Sequence, residues 1–219
     1  MEAQKLALMI DHTLLAPEAT AYDIEQLCAE AVELQVGAIC ISPSLLPLGK
    51  GVLPASINVA AVVGFPSGAH NPSVKSREAQ QACEHGANEI DMVINLALVS
   101  SANWSAVASE VAAVRNAIPS GVILKVIIES ALWSDEQIVG VCSAAVRGGA
   151  DFVKTSTGFH KSGGASIAAV QLMRKTVGEN IGIKASGGIR TYADAIAMIE
   201  AGASRIGASA SRAILAEAQ

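Results

Sequence analysis

The sequence contains few aromatic residues and few charges. Of its 219 residues, 3% are aromatic and 16% are charged, whereas 51% are apolar. Charged residues usually make up about a quarter of a soluble protein. We therefore expect much of the chain to be buried, partly between identical subunits of a homo-oligomer, either a dimer or a tetramer. With so few aromatics, the apolar fraction consists mainly of Ala, Val, Ile and Leu, which suit a sheet covered by helices on both faces.

The sequence also lacks the features of several partner classes. Its formal net charge is −5 and its Lys and Arg residues do not cluster, which argues against a nucleic-acid partner. The longest apolar runs, such as residues 58–65, have the length of a strand, far below the roughly 18 residues of a membrane helix. The first residues lack the basic start and apolar stretch of a signal peptide. We expect no nucleic-acid partner and no membrane partner.

Neither the cysteines nor the histidines have the spacing of a bonded or metal-binding set. No CxxC occurs, and the cysteines lie far apart, which is typical of free thiols in the cytoplasm, the location that we expect. No pair of histidines has ligand spacing, so we expect no metal site. These residues are Cys28, Cys40, Cys83 and Cys142, and His12, His70, His85 and His160.

A unit of roughly 30 residues recurs along the chain. Each unit combines a short β-branched run, a polar or Gly-rich turn and an amphipathic helix. Alternation of strands and helices without hairpin signals indicates a parallel sheet, and eight units favour its closure. We predict an α/β fold, a (β/α)8 TIM barrel that forms a single catalytic domain over residues 1–219, with an open doubly wound sheet as the alternative. The predicted strands centre on residues 9–10, 38–41, 59–63, 89–94, 122–128, 152–155, 182–185 and 205–207.

Several helices have recognisable ends. Residues 21–34 have helical apolar spacing, with Thr20 as N-cap and Gly37 as the stop, and residues 104–118 and 135–147 are similar, with Ser134 capping the latter. A Gly–Ala pair stands just before four strands, where the glycine is expected to end the preceding helix in a left-handed conformation. These glycines are Gly37, Gly86, Gly149 and Gly202.

Four ionisable residues interrupt strands that should be apolar: Asp91, Lys125, Lys154 and Lys184. Their apolar neighbours favour the helical layer, so alternation points the charged side chains into the barrel. Successive lysines are about one 30-residue unit apart, which predicts similar levels in one cavity. Burying unpaired ammonium groups is costly, so the cluster indicates chemistry. The alternative is that one or two lysines turn outward and extend to solvent.

Such a cluster suits a reaction that begins with a neutral amine. Burial and a second ammonium both lower the pKa of a lysine, and the free amine then adds to an aldehyde to give an iminium, an electron sink for C–C cleavage. We predict Lys154 as the nucleophile because the turn of residues 155–158, Thr-Ser-Thr-Gly, follows it at the catalytic end of the strand. Lys184 is the predicted activating cation, and Asp91 the proton donor and acceptor.

The segment FVKTSTGF at residues 152–159 resembles the Schiff-base motif of the deoxyribose-phosphate aldolase family. Five further segments match in the same order: IDHTLL at 10–15, VGFPSG at 63–68, EIDMVIN at 89–95, LKVIIE at 124–129 and IKASGGIR at 183–190. The resemblance implies reversible cleavage of 2-deoxy-D-ribose 5-phosphate to D-glyceraldehyde 3-phosphate and acetaldehyde, without a cofactor. It gives Lys154 the Schiff base, Asp91 the proton transfer and Lys184 the perturbation of the pKa of Lys154.

Substrate contacts are expected from the turns after several strands. Glycine-rich turns after the seventh and eighth strands are typical phosphate sites of such barrels. The predicted substrate-binding residues are Asp11, Lys125, Thr155, Gly158, Gly187, Gly188, Gly207 and Ser209. For Asp11, a substrate hydroxyl and a structural pairing with a lysine remain open.

The sequence departs from the family at two positions near the expected phosphate site. Ala210 follows Ser209 where members commonly have a second serine, and Phe159 stands where some have a lysine. Two other functions remain alternatives: a Schiff-base aldolase for a different sugar phosphate, and a non-catalytic barrel that binds sugar phosphates.

Overall fold

The computed structural model describes residues 1–218, whose strands form one closed parallel barrel. Each strand pairs with the next, and the last pairs with the first. Strands β1 to β8 are Ile10–Leu14, Ala38–Ile41, Asn58–Val63, Glu89–Val93, Ile123–Ile127, Phe152–Lys154, Gly182–Ser186 and Arg205–Ala208. The predicted (β/α)8 TIM barrel is confirmed, and the open doubly wound alternative is wrong because β8 closes on β1.

Helices surround the barrel and cover the apolar outer face of the strands. Within residues 1–218, helices α1 to α9 are Ala3–Ala7, Ala21–Leu34, Pro72–Glu84, Leu96–Ser100, Trp104–Ala117, Asp135–Arg147, Ile167–Val177, Tyr192–Glu200 and Ser211–Ala216. Residues such as Ile90, Leu124 and Val153 are fully buried between the two layers, and each such burial stabilises the fold by about 1.5–3 kcal/mol. None of the described helices is both long and apolar enough to cross a membrane.

Capping side chains explain where the predicted helices begin. The Thr20 hydroxyl accepts a hydrogen bond from the backbone N–H of Asp23, whose carboxylate accepts one from the backbone N–H of Thr20 in return. Ser134 and Gln137 make the same reciprocal arrangement at the start of α6. The predicted bounds of α2 and α6 are confirmed, and α5 ends one residue before the predicted position.

One of the four predicted helix-ending glycines has another role. Gln35 takes the left-handed position after α2, with φ of 52°. A Cβ at Gly37 would lie 2.2 Å from the carbonyl oxygen of Leu8, so glycine is needed there for the close approach of the segment that follows α1. The left-handed conformation is confirmed at the other three positions: Gly86, Gly149 and Gly202.

The second repeat unit departs from the predicted strand–helix pattern. Among the described residues, the connection from β2 to β3 contains a short 3₁₀ turn, Pro43–Leu45, and no α-helix. Pro47 and Pro54 lie in the same connection, and each removes a backbone N–H donor that an α-helix would use. The expectation of a helix in every unit is therefore wrong here.

The predicted common level of the three lysines is only partly right. Lys154 pairs in register with Lys184, but Lys125 pairs with Phe152, two residues before Lys154. The strands of a barrel are staggered, so equal spacing along the chain does not mean equal height. Lys125 consequently lies one inward-facing layer deeper than Lys154.

A buried ion pair outside the barrel fixes the ends of β3 and β4. The Lys75 ammonium, on α3, donates hydrogen bonds to the carbonyls of Gly68 at 2.6 Å and Val93 at 2.7 Å, and to the Glu110 carboxylate at 2.7 Å. The other oxygen of Glu110 accepts from the backbone N–H of Asn95. Both charged side chains are almost fully buried, so the charge of each one is neutralised mainly by the charge of the other.

We expect Lys75→Met to destabilise the fold by about 3–5 kcal/mol, because it leaves the Glu110 carboxylate buried without its cation. The double variant Lys75→Met/Glu110→Gln should recover part of this loss. Urea unfolding measures both, with Lys175→Met at an exposed position as a control that shifts stability by less than about 0.5 kcal/mol. A Lys75→Met variant as stable as this control would contradict the role given to the pair.

Candidate active site

Asp91 lies at the centre of the charged cluster inside the barrel. One oxygen of its carboxylate, Oδ1, accepts a hydrogen bond from Lys125 Nζ at 2.7 Å. The other, Oδ2, accepts from Lys154 Nζ and from Lys184 Nζ, each at 2.7 Å. Asp91 is fully buried and Lys154 is 2% exposed. The structure therefore turns all three lysines inward and brings them to one carboxylate.

Two further carboxylates and an arginine complete the cluster below Asp91. Asp11 contacts Lys184, lies 3.6 Å from Lys125 Nζ and accepts from Arg205 at 2.7 Å. Glu89 contacts Lys125, and its other oxygen lies 3.3 Å from Arg205. Strands β1, β4, β5, β6, β7 and β8 each supply at least one of these groups.

The number of charges in the cluster constrains the protonation state of its lysines. Three carboxylates, those of Asp11, Glu89 and Asp91, face four basic groups, Arg205 and the three lysines. One positive charge is in excess if every group is ionised. Because burial makes an uncompensated charge costly, the cluster is balanced when one basic group is neutral.

Among the three lysines, Lys154 is the one whose pKa is lowered. Burial lowers the pKa of Lys154, and the nearby Lys184 ammonium adds to this effect although Asp91 opposes it. Burial also disfavours the charged form of Lys184, but Asp11 and Asp91 outweigh it and hold the pKa of Lys184 well above the usual value. For Lys125, the same carboxylates outweigh burial and raise its pKa. Lys154 is therefore the candidate for the neutral amine.

Asp91 remains ionised within this surrounding. Burial alone would raise the pKa of its carboxyl group, but Lys125, Lys154 and Lys184 together hold it well below the usual value. An ionised carboxylate 2.7 Å from Lys154 Nζ can accept a proton from an adjacent reacting group.

An open cleft of about 500 Å³ leads to Lys154 from the carboxyl ends of the strands. Its walls come from the segments after β1, β6, β7 and β8. Six of the predicted site residues are among those that line the cleft: Lys154, Gly158, Gly187, Gly188, Gly207 and Ser209. The cleft is large enough for a small sugar phosphate.

The family model of the DeoC/LacD family aldolases matches residues 5–217. The chain belongs to this family.

Individual relatives agree over almost the whole length of this DeoC/LacD family member. It is 55% identical to the deoxyribose-phosphate aldolase of Corynebacterium diphtheriae over 212 residues, 97% of this chain and 96% of the relative. It is also 55% identical to that of Kocuria rhizophila, covering 96% and 95% of the two chains. A solved structure of deoxyribose phosphate aldolase from Aeropyrum pernix, described as a unique tetramer, superposes with a TM-score of 0.87 at 34% identity, over 98% of this chain and 91% of that one.

Three residues expected to bind substrate do not line the cleft. Asp11 and Lys125 are fully buried beneath Asp91 in ion pairs, and the Thr155 hydroxyl exchanges hydrogen bonds of 3.0 Å with the backbone of Ser186. In the structure, the side chains of these three residues bond to other protein groups and do not reach the cleft. Lys125 is too deep because of the stagger described above, and for Asp11 the structure favours the charge-pair alternative.

Glu89 and Arg205 belong to the charged cluster although neither was among the predicted site residues. Each is the first residue of its strand and lies two positions before an inward-facing residue, Asp91 and Gly207 respectively. The same alternation that pointed Asp91 inward therefore also applied to Glu89 and Arg205. Both residues stand at the start of a strand, where charged side chains are usually solvated, so the alternation was not taken to point them into the barrel.

The turn after Lys154 is held by a buried carboxylate. Glu129 adopts a left-handed backbone, with φ of 51°, and accepts hydrogen bonds from both the backbone N–H, at 2.8 Å, and the hydroxyl of Thr157. The Ser186 hydroxyl donates to the carbonyl of Ser156 at 2.6 Å. These bonds join the ends of β5, β6 and β7, so the segment beside the amine has a fixed backbone.

Single changes of charge should move the pKa of Lys154 in opposite directions. Lys184→Met removes one cation, so the cluster balances with Lys154 protonated and its pKa should rise. Asp11→Asn removes one carboxylate, and the pKa of Lys154 should fall further. Reductive methylation of Lys154 by formaldehyde and cyanoborohydride, mapped by mass spectrometry across pH, reports the neutral amine.

The onset of methylation should therefore move to higher pH in Lys184→Met and to lower pH in Asp11→Asn. Lys175→Met, a surface variant remote from the barrel interior, provides the unshifted reference. Equal onsets in all three variants, or shifts in the same direction, would contradict the charge-balance interpretation.

Proposed function

We propose that the protein is a class I aldolase that reversibly cleaves 2-deoxy-D-ribose 5-phosphate to D-glyceraldehyde 3-phosphate and acetaldehyde. The observation that supports this proposal most strongly is the position of Lys154. This buried lysine has a lowered pKa, lines an open cleft and lies 2.7 Å from the ionised carboxylate of Asp91. Membership of the DeoC/LacD aldolase family and the names of the relatives support the reaction and the substrate.

The reaction begins with the neutral amine of Lys154. Its lone pair attacks C1 of the open-chain sugar, and the carbonyl oxygen takes up a proton to give a carbinolamine. Loss of water then produces an iminium between Nζ and C1. Asp91 accepts and returns the protons of these steps, while the Lys184 ammonium disfavours protonation of Lys154 and so lowers the pKa of its amine.

Cleavage of the C2–C3 bond uses the iminium as the electron sink. The C3 hydroxyl loses its proton, C3 becomes the aldehyde carbon of glyceraldehyde 3-phosphate, and the bonding pair moves into an enamine at C2. Protonation of C2 and addition of water release acetaldehyde and regenerate the amine. We assign the proton transfers to Asp91, because its carboxylate lies at hydrogen-bond distance from the reacting nitrogen.

The phosphate group is proposed to bind at the part of the cleft lined by the turns after β7 and β8. Gly187 and Gly188 line the cleft and both have positive φ, 87° and 85°, a backbone conformation that residues with a Cβ rarely adopt. Gly207 and Ser209 face the same space after β8. Backbone N–H groups of such turns are suitable donors to phosphate oxygens.

We further propose a single catalytic domain that assembles as a homo-oligomer in the cytoplasm. Closure of the barrel by pairing of β1 with β8 supports one domain. The tetrameric description of the Aeropyrum pernix relative supports an oligomer, and the four free cysteines are typical of proteins in reducing compartments.

Borohydride reduction in the presence of acetaldehyde should add about 28 Da to Lys154, because it traps the imine as an ethylamine. Lys154→Met should abolish both this adduct and the release of acetaldehyde from 2-deoxy-D-ribose 5-phosphate. Lys161→Met, which changes an exposed lysine a few residues away, should retain the adduct.

The two measurements also separate the alternatives. An adduct on Lys154 without cleavage of 2-deoxy-D-ribose 5-phosphate would favour an aldolase for a different sugar phosphate. Absence of any adduct, or an adduct that persists in Lys154→Met, would overturn the proposed mechanism.

A further inference from the structure

Two phenylalanines meet across the mouth of the barrel. Phe65 follows β3 and Phe159 follows β6, strands that lie three places apart in the closed order. Their ring centroids are 5.2 Å apart and the rings are nearly perpendicular, at 84°, which is a favourable edge-to-face arrangement. The chain contains only three phenylalanines, so most of its phenyl surface is placed at this contact.

Hydrogen bonds fix the backbone on the β6 side of the contact. The N–H of Phe159 donates to the Thr157 hydroxyl at 3.1 Å, and Thr157 is bound to the buried Glu129. Rotation of this turn would leave the Glu129 carboxylate without these donors. The ring of Phe159 is therefore held at the mouth by the same bonds that shape the turn after Lys154.

The β3 side is fixed in the same way. The N–H of Gly64 donates to the Glu78 carboxylate at 2.8 Å, and the carbonyl of Gly68 accepts from Lys75 at 2.6 Å. These two bonds hold both ends of the short segment that carries Phe65. Its ring packs on an apolar group inside the barrel mouth, formed by Leu15, Cys40, Ala60 and Val62.

The contact leaves an apolar surface exposed in the cleft that Lys154 also lines. Phe159 remains 50% exposed although it touches Phe65, and it lines the cleft together with Lys154 and the apolar residues Leu14, Leu15 and Pro17. A phenyl face in this position gains stabilisation when a ligand removes it from water.

Positive charge is sparse in the same cleft. Besides Lys154, which must be neutral to react, the basic side chain that lines it is the exposed Arg190, and the acidic Glu18 lines it as well. Electrostatic selection of a charged substrate is weak at exposed groups, whereas the aromatic surface is fixed in place.

We propose that Phe159, held against Phe65, is a specificity-determining residue that binds the apolar substituent of uncharged acceptor aldehydes. In the synthetic direction, which rests on the proposed function, the enamine carbon formed from acetaldehyde on Lys154 attacks the carbonyl carbon of such an acceptor. A C–C bond forms, the acceptor oxygen takes a proton, and hydrolysis of the iminium releases a 3-hydroxyaldehyde. No other reactant is required.

The test compares kcat/KM for two acceptors, hexanal and D-glyceraldehyde 3-phosphate, with acetaldehyde as donor. Phe159→Ala should lower the value for hexanal about five- to tenfold, as expected for loss of an aromatic contact, and change the value for the phosphorylated acceptor less than about twofold. Phe159→Lys should lower the first value and raise the second. Phe65→Leu, which removes the supporting ring, should affect hexanal in the same direction as Phe159→Ala.

Tyr22→Ala provides a matched control, because Tyr22 is an exposed aromatic residue on α2 and its loss should leave both values unchanged. Borohydride trapping of acetaldehyde on each variant isolates the imine step from acceptor selection.

Equal losses for both acceptors with normal trapping would overturn the role of Phe159 and leave the proposed function intact. A wild-type protein that uses the phosphorylated acceptor but not hexanal would also overturn it, and failure of trapping in the wild type would overturn the proposed function itself.

Discussion

The charge balance around Asp91 is the constraint on which the site depends. The buried carboxylate of Asp91 accepts hydrogen bonds from three lysines. A buried cluster of this kind is stable only when its positive and negative charges balance. With Lys154 neutral, the cluster contains three negative and three positive groups. Protonation of Lys154 would give the cluster four positive groups for three carboxylates. The reactive state of the amine is thus also the electrostatically balanced state of the barrel interior.

This balance requires the barrel to be closed. Asp11 on β1 bonds to Arg205 on β8 and contacts Lys184 on β7, contacts that exist because the last strands pair with the first. An open sheet would separate Asp11 from Lys184 and remove the largest of the attractions that raise the pKa of Lys184. Lys184 in turn disfavours protonation of Lys154. The topology of the sheet and the pKa of Lys154 are therefore linked through the contacts of Asp11 with Lys184 and Arg205.

The sequence was sufficient to predict those features that follow from local pattern. Alternation along each strand identified Asp91, Lys154 and Lys184 as inward-facing, and capping residues located α2 and α6. The level of Lys125 was not predictable from spacing, because the stagger between strands is a property of the closed barrel. The role of Gly37 was hidden for a similar reason: its close neighbour, Leu8, belongs to another segment. The level of Lys125 and the role of Gly37 thus depend on contacts between segments that are distant in the sequence, and not on local residue propensity.

The three lysines are equivalent in sequence pattern, and the number of carboxylates that each one touches distinguishes them. Lys125 lies within ion-pair distance of Asp11, Glu89 and Asp91, and Lys184 contacts Asp11 and Asp91. Among the carboxylates of residues 1–218, Lys154 contacts that of Asp91 alone. Burial disfavours the charged form of all three lysines, and the attraction of the carboxylates outweighs it at Lys125 and Lys184 but not at Lys154. The lysine with one carboxylate partner is also the one of the three that lines the cleft. The number of carboxylate contacts therefore decides which amine can be neutral, since the carboxylates around Lys125 and Lys184 raise the pKa of both lysines.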